Sequence, residues 1–439
     1  IYTEAMAERL DVVIFGATGF TGKYAVLEAV TILKNMKWGI AGRNKVRQEL
    51  IKTTAERTKA DLSQVPVIVA DVNDEKSLQE MAEKCKVVVN CCGPYRFYGE
   101  PVVKACINAG THHVDVSGEP QYMESMQLEY NDLAKEKGVY VISACGFDSI
   151  PADLGIVFVE NHFDGVVNSV ETYLETWESG GSRGGAGIHY GTWESAVYGL
   201  AHADELRGIR TKLFKEKLPV LEPKLKNRSV IHKSEIVNGS YCLPFPGSDR
   251  SVVMRSQRLM YENEKKRPIQ MKAYVAFRSF AHILVVGLFA TIFGLLAKFS
   301  FGRNLLLKYP KLFSGGLISH EGPSEEKMKN TKFAWTFYAQ GWKKEQKLAE
   351  PTDQYTDPPS KKMVAKVSGS NPGYGATCVA LVLSAVTILK ESDKMPGNGG
   401  VLPPAAAFAK TSLINELGKH ENGMNFEVVS TKEDTPATE

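Results

Sequence analysis

Residues 11–22 run Asp-Val-Val-Ile-Phe-Gly-Ala-Thr-Gly-Phe-Thr-Gly, an apolar stretch that ends in a glycine-rich turn. Val12–Phe15 is short and rich in β-formers, the composition of a strand buried in a parallel sheet. Gly16, Gly19 and Gly22 then recur at every third position. The first permits a tight turn, the second lets the backbone approach a pyrophosphate, and the third lets a helix pack close to the strand. A helix over Tyr24–Leu33 would aim its free N–H groups and positive dipole end at the phosphates. Strand, turn and helix together imply a dinucleotide site, where a glycine triplet alone would imply only a turn.

Trp38–Arg43 supplies the second strand. A cofactor without a 2′-phosphate meets an Asp or Glu at the end of this strand, on its ribose hydroxyls. Gly42, Arg43, Asn44 and Lys45 stand there instead, with no carboxylate. The planar fork of Arg43 suits a 2′-phosphate and favours NADP(H) over NAD(H). The alternative is that Arg43 merely starts the next helix.

Val65–Ala70 forms a third strand closed by Asp71, which would flank the adenine pocket, cap a helix beginning near Glu75, or both. Val87–Asn90 forms a fourth and leads into Cys91-Cys92-Gly93-Pro94-Tyr95. Ligands of open parallel sheets bind beyond the carboxyl ends of the strands, so Asn90–Tyr95 belongs near the nicotinamide. Helices at about 100–109 and 122–137, with strands at Val114–Val116 and Val139–Ser143, continue the alternation. The fold class is α/β, with a doubly wound Rossmann sheet covered on both faces.

The 439 residues suffice for two compact domains, and 43% hydrophobic with 23% charged residues is ordinary globular composition. A net charge of +3, without any RNA- or DNA-binding motif, speaks against nucleic acid as a partner. The seven cysteines (85, 91, 92, 106, 145, 242 and 378) have no repeated spacing and no CxxC. That pattern argues against a metal site and a secreted disulfide framework, and for a reducing, cytosol-facing setting. Residues 1–10 are polar and charged, so no signal peptide is expected there.

Five longer motifs accompany the turn: AGR at 41–43, NCCGPYRFYGEPVVKAC at 90–106, DVSGE at 115–119, GFDSIPADLG at 146–155 and GGVLPPAAAF at 399–408. With GATGFTG at 16–22 they resemble the saccharopine dehydrogenase family, and most closely its animal, saccharopine dehydrogenase-like branch. The resemblance implies a Rossmann domain over 8–150 and a second α/β domain on a mixed sheet over 151–398. A segment at 399–429 would return to the first domain, ahead of a polar, disordered tail at 430–439. It also implies cofactor roles for Gly16, Thr18, Gly19, Phe20, Thr21, Gly22, Arg43, Asp71, Cys91, Gly93 and Tyr95, and is compatible with a homodimer. True saccharopine reductases join or cleave an amino-acid adduct, and related bacterial members reduce enoyl groups in lipid synthesis. The animal branch is associated with lipid droplets and membranes. No segment here matches a saccharopine carboxylate clamp, which speaks against an amino-acid substrate.

Residues 283–297 carry no charge, and the apolar run extends back to Ser279. Nineteen residues are borderline for a membrane span, and a run apolar all round is not a surface amphipathic helix. A buried core helix, a single span, and a hairpin dipping into one leaflet or a droplet monolayer are the three readings. Lys265, Lys266, Arg267, Lys272 and Arg278 precede the run; Lys298, Arg303, Lys308 and Lys311 follow it. Basic residues on both sides favour two ends at one anionic surface, with 279–317 as the membrane or droplet anchor and phospholipid as the partner. Elsewhere, Val166–Thr176 alternates as a strand with one buried face, and 180–187 forms a glycine-rich loop.

Hydride transfer needs a substrate against the nicotinamide and a proton donor nearby. Tyr95 and His189 are the catalytic candidates, with Arg96, Tyr98, Asp115, Ser117, Glu119, Asp148, Ser149 and Thr192 in reach. Packing beneath the cofactor is the alternative role for Tyr95, and a structural role the alternative for His189. Three functions stay open: a reductase of a lipophilic substrate at a lipid surface, a catalytically idle droplet scaffold or redox sensor, and a cytoplasmic saccharopine-type enzyme.

Overall fold

The computed structural model describes residues 8–43, 46–180, 185–344, 350 and 352–433. Strands β1 (Leu10–Phe15), β2 (Trp38–Gly42), β3 (Val67–Val69), β4 (Cys85–Asn90), β5 (His112–Asp115) and β6 (Tyr140–Ile142) come first. Next are β7 (Gly165–Glu178), β8 (Ile188–His189), β9 (His232–Ser234), β10 (Ser240–Pro244) and β11 (Gln270–Phe277). The chain ends with β12 (Ile318–Ser319), β13 (Thr331–Lys343), β14 (Lys361–Ser370), β15 (Gly400–Leu402) and β16 (Met424–Glu433).

The first sheet is parallel throughout, in the order β15-β6-β5-β4-β1-β2-β3. Val12, Val13 and Ile14 are wholly buried, as are Val87, Val88 and Val89, because helices cover both faces. The chain runs outward through β2 and β3, then returns to β4 on the other side of β1. That reversal opens a crevice beyond the carboxyl ends of β1 and β4.

Two helices begin earlier than their sequences suggest. The first spans Phe20–Ile32 and springs from the glycine turn itself, with Gly19 as N-cap. The helix expected from about residue 100 spans Tyr95–Asn108. Its start is fixed from outside the segment, since the Glu119 carboxylate accepts the backbone N–H groups of Tyr95 and Arg96, each at 3.0 Å. Asp74, not Asp71, caps the helix Glu75–Glu83, accepting from the N–H groups of Lys76 and Ser77.

The second sheet is mixed, in the order β16-β14-β13-β7-β11-β10-β9, with only β7 and β11 parallel. The expectation of one buried face for β7 is corrected. It is the central strand, and Val170, Glu171, Thr172, Tyr173 and Leu174 are all buried. Val170 and Leu174 join the main core, while Tyr173 packs with Val237, Cys242 and Tyr274 on the other side.

The C-terminal part divides its attention between the sheets. The strand β15 pairs with β6, but β16 pairs with β14 in the second sheet. Ser430–Glu433, expected in a disordered tail, extend β16; 434–439 lie outside the described residues. So do 181–184 of the glycine-rich loop, and Asn44 and Lys45.

The apolar run at 279–317 forms helices Phe280–Ala297, Ser300–Lys308 and Pro310–Phe313. The core-helix reading fails, since only Ile283 and Ala297 of the first helix are buried. A second long apolar helix, Thr377–Glu391, fills the core instead, packed on the helix Phe20–Ile32 and on β4 and β5.

Candidate functional site

Gly16 ends β1 with φ +77°, a conformation L side chains rarely adopt, and a Cβ there would lie 2.6 Å from Cys92 Sγ. A Cβ on Gly22 would lie 2.1 Å from Gly16 O, so only glycine lets the following helix rest on the turn. Gly19 donates its N–H to Gly16 O at 2.9 Å and is exposed beside Thr18 at the mouth of the crevice. No side chain caps the helix it opens, which leaves the N-terminal N–H groups available to an anion. Thr21 is half-buried, and its carbonyl accepts from Cys378 Sγ.

Arg43 is exposed at the end of β2. Burial pushes the Cys92 thiol up to about 12, with nearby Arg43 opposing the rise and Asp71 adding to it. Arg43, Asp71 and Cys92 therefore share one edge of the crevice. Asp71 accepts from the Asn73 N–H in a tight turn, at 3.0 Å. Cys91 is likewise pushed up by burial, which removes thiolate character and any nucleophilic role. Asn90 organises the end of β4, donating to His113 Nε2 and accepting from the Cys92 N–H at 3.0 Å. Gly93 is exposed at the rim.

The remaining site residues behave differently. Tyr95 is buried, and its hydroxyl donates to Asn90 O at 2.9 Å. Tyr95 therefore underlies the loop rather than facing the crevice, and burial with the Asp115 charge holds its hydroxyl well above the ordinary pKa. His189 caps the helix Tyr190–Ala201, its Nδ1 accepting the Gly191 N–H at 3.0 Å. Its ring stacks on Phe20 at 4.5 Å, and Phe20 also meets Tyr374 edge-on. Both side chains thus join the glycine turn to the second domain.

Beyond β5, Asp115 is fully buried and pushed up to about 6 by that burial, against hydrogen bonds from Ser117, Ser143, Tyr122 and Ala144. Glu119 accepts from Ser195 Oγ at 2.8 Å as well as capping Tyr95–Asn108. Arg96 is held by both carboxylate oxygens of Glu205, and Arg210 by both of Glu124. Asp148 sits between Gly118 and Gly247, where a Cβ on either would come within about 3 Å of its oxygens. Glu194 and His320, which sequence reasoning passed over, flank this region from the second domain. The signal for Glu194 was its spacing from Tyr190 and Tyr198 on one helix, and nothing local to His320 marked it.

The turn, the uncapped helix and the Arg43 edge fit a dinucleotide carrying an extra phosphate. Residues 12–142 match the family described as "Saccharopine dehydrogenase NADP binding domain", which supports NADP(H) as the cofactor. The rat "Saccharopine dehydrogenase-like oxidoreductase" is 41% identical over 96% of this chain and 98% of its own. A Caenorhabditis elegans "Lipid droplet localized protein" is 37% identical, over 96% of this chain and 99% of its own. The solved apo saccharopine dehydrogenase (L-Glu forming) of Saccharomyces cerevisiae superposes with a TM-score of 0.56 at 14% identity. It covers 96% of this chain and 100% of the yeast one, and shows the shared fold. The chain belongs to the saccharopine dehydrogenase-like oxidoreductase family.

Proposed function

We propose that this protein is an NADP(H)-dependent reductase of a lipophilic substrate, docked through 279–317 on a phospholipid monolayer or the cytosolic face of an intracellular membrane. The observation that carries this reading is the helix Phe280–Ala297. It exposes Leu284, Val285, Leu288 and Leu295 to solvent, and Phe299, Phe301, Leu312 and Leu317 follow, also exposed. An apolar patch of this kind marks a partner or a lipid surface. The basic rim is smaller than the sequence suggests, because Lys266 pairs with Glu160, Arg267 donates to Asp353 O, and Lys272 donates to Leu225 O and Lys226 O. Lys311 pairs with Glu321, and Lys298 and Lys308 remain exposed beside the apolar helices to meet anionic headgroups. The name of the nematode relative supports the same placement.

The substrate side of this reading rests on charge. Arg96 and Arg210, cations near the end of β5, are neutralised by Glu205 and Glu124, which leaves neither free for a substrate carboxylate. Gly16, Gly19, Gly22 and Arg43 would hold NADPH, which supplies a hydride when bound.

Calorimetry and vesicle flotation test the two halves. The full chain in mild detergent should bind NADPH more tightly than NADH, and Arg43→Ala should narrow that preference by about tenfold. Deletion of 279–317 should abolish flotation with phosphatidylcholine–phosphatidylserine vesicles while NADPH binding persists. Equal affinity for the two nucleotides would remove Arg43 from the phosphate site, and flotation of the deletion would reject the docking element.

A further inference from the structure

The helix Tyr190–Ala201 lies between the end of β5 and the exposed apolar helices. One side meets those helices: Trp193 Nε1 donates to Leu306 O at 3.0 Å, its ring packs edge-on against Phe293, and Val197 is buried with Ala297 and Leu306. Tyr190, Glu194 and Tyr198 stand above one another at four-residue spacing on a different side. Tyr190 stacks on His320 at 4.1 Å, and Tyr198 meets Phe97 edge-on at 4.9 Å. Glu194 is half-buried, one helical turn from each of these two tyrosines.

No hydrogen-bond partner satisfies the Glu194 carboxyl among the described residues, although its neighbour Ser195 is fixed to Glu119 at 2.8 Å. That bond places Glu194 one residue from the loop at the carboxyl end of β5. The ionisable groups facing it are Glu119 from that loop, His320 beyond β12, and Tyr190 on its own helix. Burial and the Glu119 charge raise its pKa, and His320 opposes them. A half-buried carboxyl with no hydrogen-bond partner among the described residues, flanked on its helix by two tyrosines and beside another carboxylate, is suited to keep a proton and release it to a bound molecule.

We propose that Glu194 donates the proton in the reduction of a long-chain, uncharged carbonyl or enoyl compound whose chain lies along Tyr190 and Tyr198. This rests on the reductase reading above. With the hydride supplied by NADPH, the electrophilic carbon of the substrate gains a C–H bond. The displaced π pair takes the Glu194 proton, breaking the carboxyl O–H bond and forming an O–H or C–H bond on the product. NADPH is oxidised to NADP⁺, and the carboxylate regains its proton from water. The substrate reaches this face from the lipid side, since the same helix carries Trp193 and Val197 against the apolar hairpin.

The test has a chemical arm and a turnover arm, both on the full chain. Dicyclohexylcarbodiimide, an apolar reagent that requires a protonated carboxyl, is applied between pH 5 and 8, and adducts are mapped by peptide mass spectrometry. Glu194 should react at pH values where solvent-exposed carboxylates no longer do. In the turnover arm, hexadecanal and a trans-2-hexadecenoyl thioester in micelles are offered with NADPH. Glu194→Gln should lower kcat on the accepted probe by about a hundredfold with little change in KM, and NADPH binding by the variant shows that it is folded. Wild-type turnover without Glu194 labelling, or full kcat in Glu194→Gln, overturns the proposal alone. Absence of turnover of both probes by the wild type overturns the reductase reading, and this proposal with it.

Discussion

Among the described residues two helices are long and apolar enough to cross a membrane, Phe280–Ala297 and the one that runs through Thr377–Glu391, and they have opposite fates. Every residue from Thr377 to Ile388 is buried, whereas only Ile283 and Ala297 of the other helix are. Residue size separates them. Thr377–Glu391 is rich in Ala, Val, Ser and Thr, small enough to pack closely between the helix Phe20–Ile32 and the first sheet. Its Ser384 and Thr387 hydroxyls are satisfied by carbonyls four residues back, each at 2.8 Å. Phe280–Ala297 carries three Phe and six Leu or Ile side chains around its circumference, more bulk than its few neighbours cover. Apolar composition thus serves cohesion in one place and leaves an uncovered surface in the other.

Substitution should split the pair cleanly. Leu381→Ala in the buried helix removes wholly buried methyl groups and should cost about 2–5 kcal/mol in denaturant unfolding. The double substitution Leu284→Asp with Leu288→Asp alters exposed positions and should leave unfolding within about 0.5 kcal/mol of the parent per site. Its loss should fall on vesicle partitioning instead, where each leucine is worth about 1.5–3 kcal/mol, a tenfold change or more. Destabilisation by the exposed pair, or unchanged partitioning, would mean that Phe280–Ala297 is covered by protein after all.

Much of the first domain was legible because its signals are local. The glycine spacing at 16–22 needs no distant partner to be recognised, and β1 to β4 and β6 each carry their own apolar run. What could not be read depended on residues far along the chain. The start of Tyr95–Asn108 is set by Glu119, and β7 is buried on both faces because the main core covers Val170 and Leu174 while Val237 and its neighbours cover Tyr173. Tyr95 and His189 look chemical in sequence, but one hydroxyl is spent on Asn90 O and one ring nitrogen on the Gly191 N–H. The apolar run at 279–297 was visible, while the interrupted polarity of 377–391 concealed an equally important helix.

The smallest expected effect concerns protons. The buried side of the comparison contains ionisable groups, and the exposed helix has only His282. Asp153, packed in the interior against the Ala405 N–H and Ser256 Oγ at 2.8 Å each, is pushed up to about 6, chiefly by burial. An unfolded aspartate titrates near 3.9, so between about pH 4 and 6 the folded chain retains a proton that the unfolded chain has lost. Stability from this group is therefore present at the acid end and falls as pH rises through that window, then levels off. Asp153→Asn cannot titrate and keeps an acceptor for both donors. It should match the parent near pH 4 and exceed it by about 2–3 kcal/mol at pH 7 in denaturant melts. Partitioning into neutral phosphatidylcholine vesicles should change little over the same range in both proteins. A stability difference independent of pH would show that Asp153 ionises freely in the fold, and a parallel loss of vesicle binding would tie the two helices together.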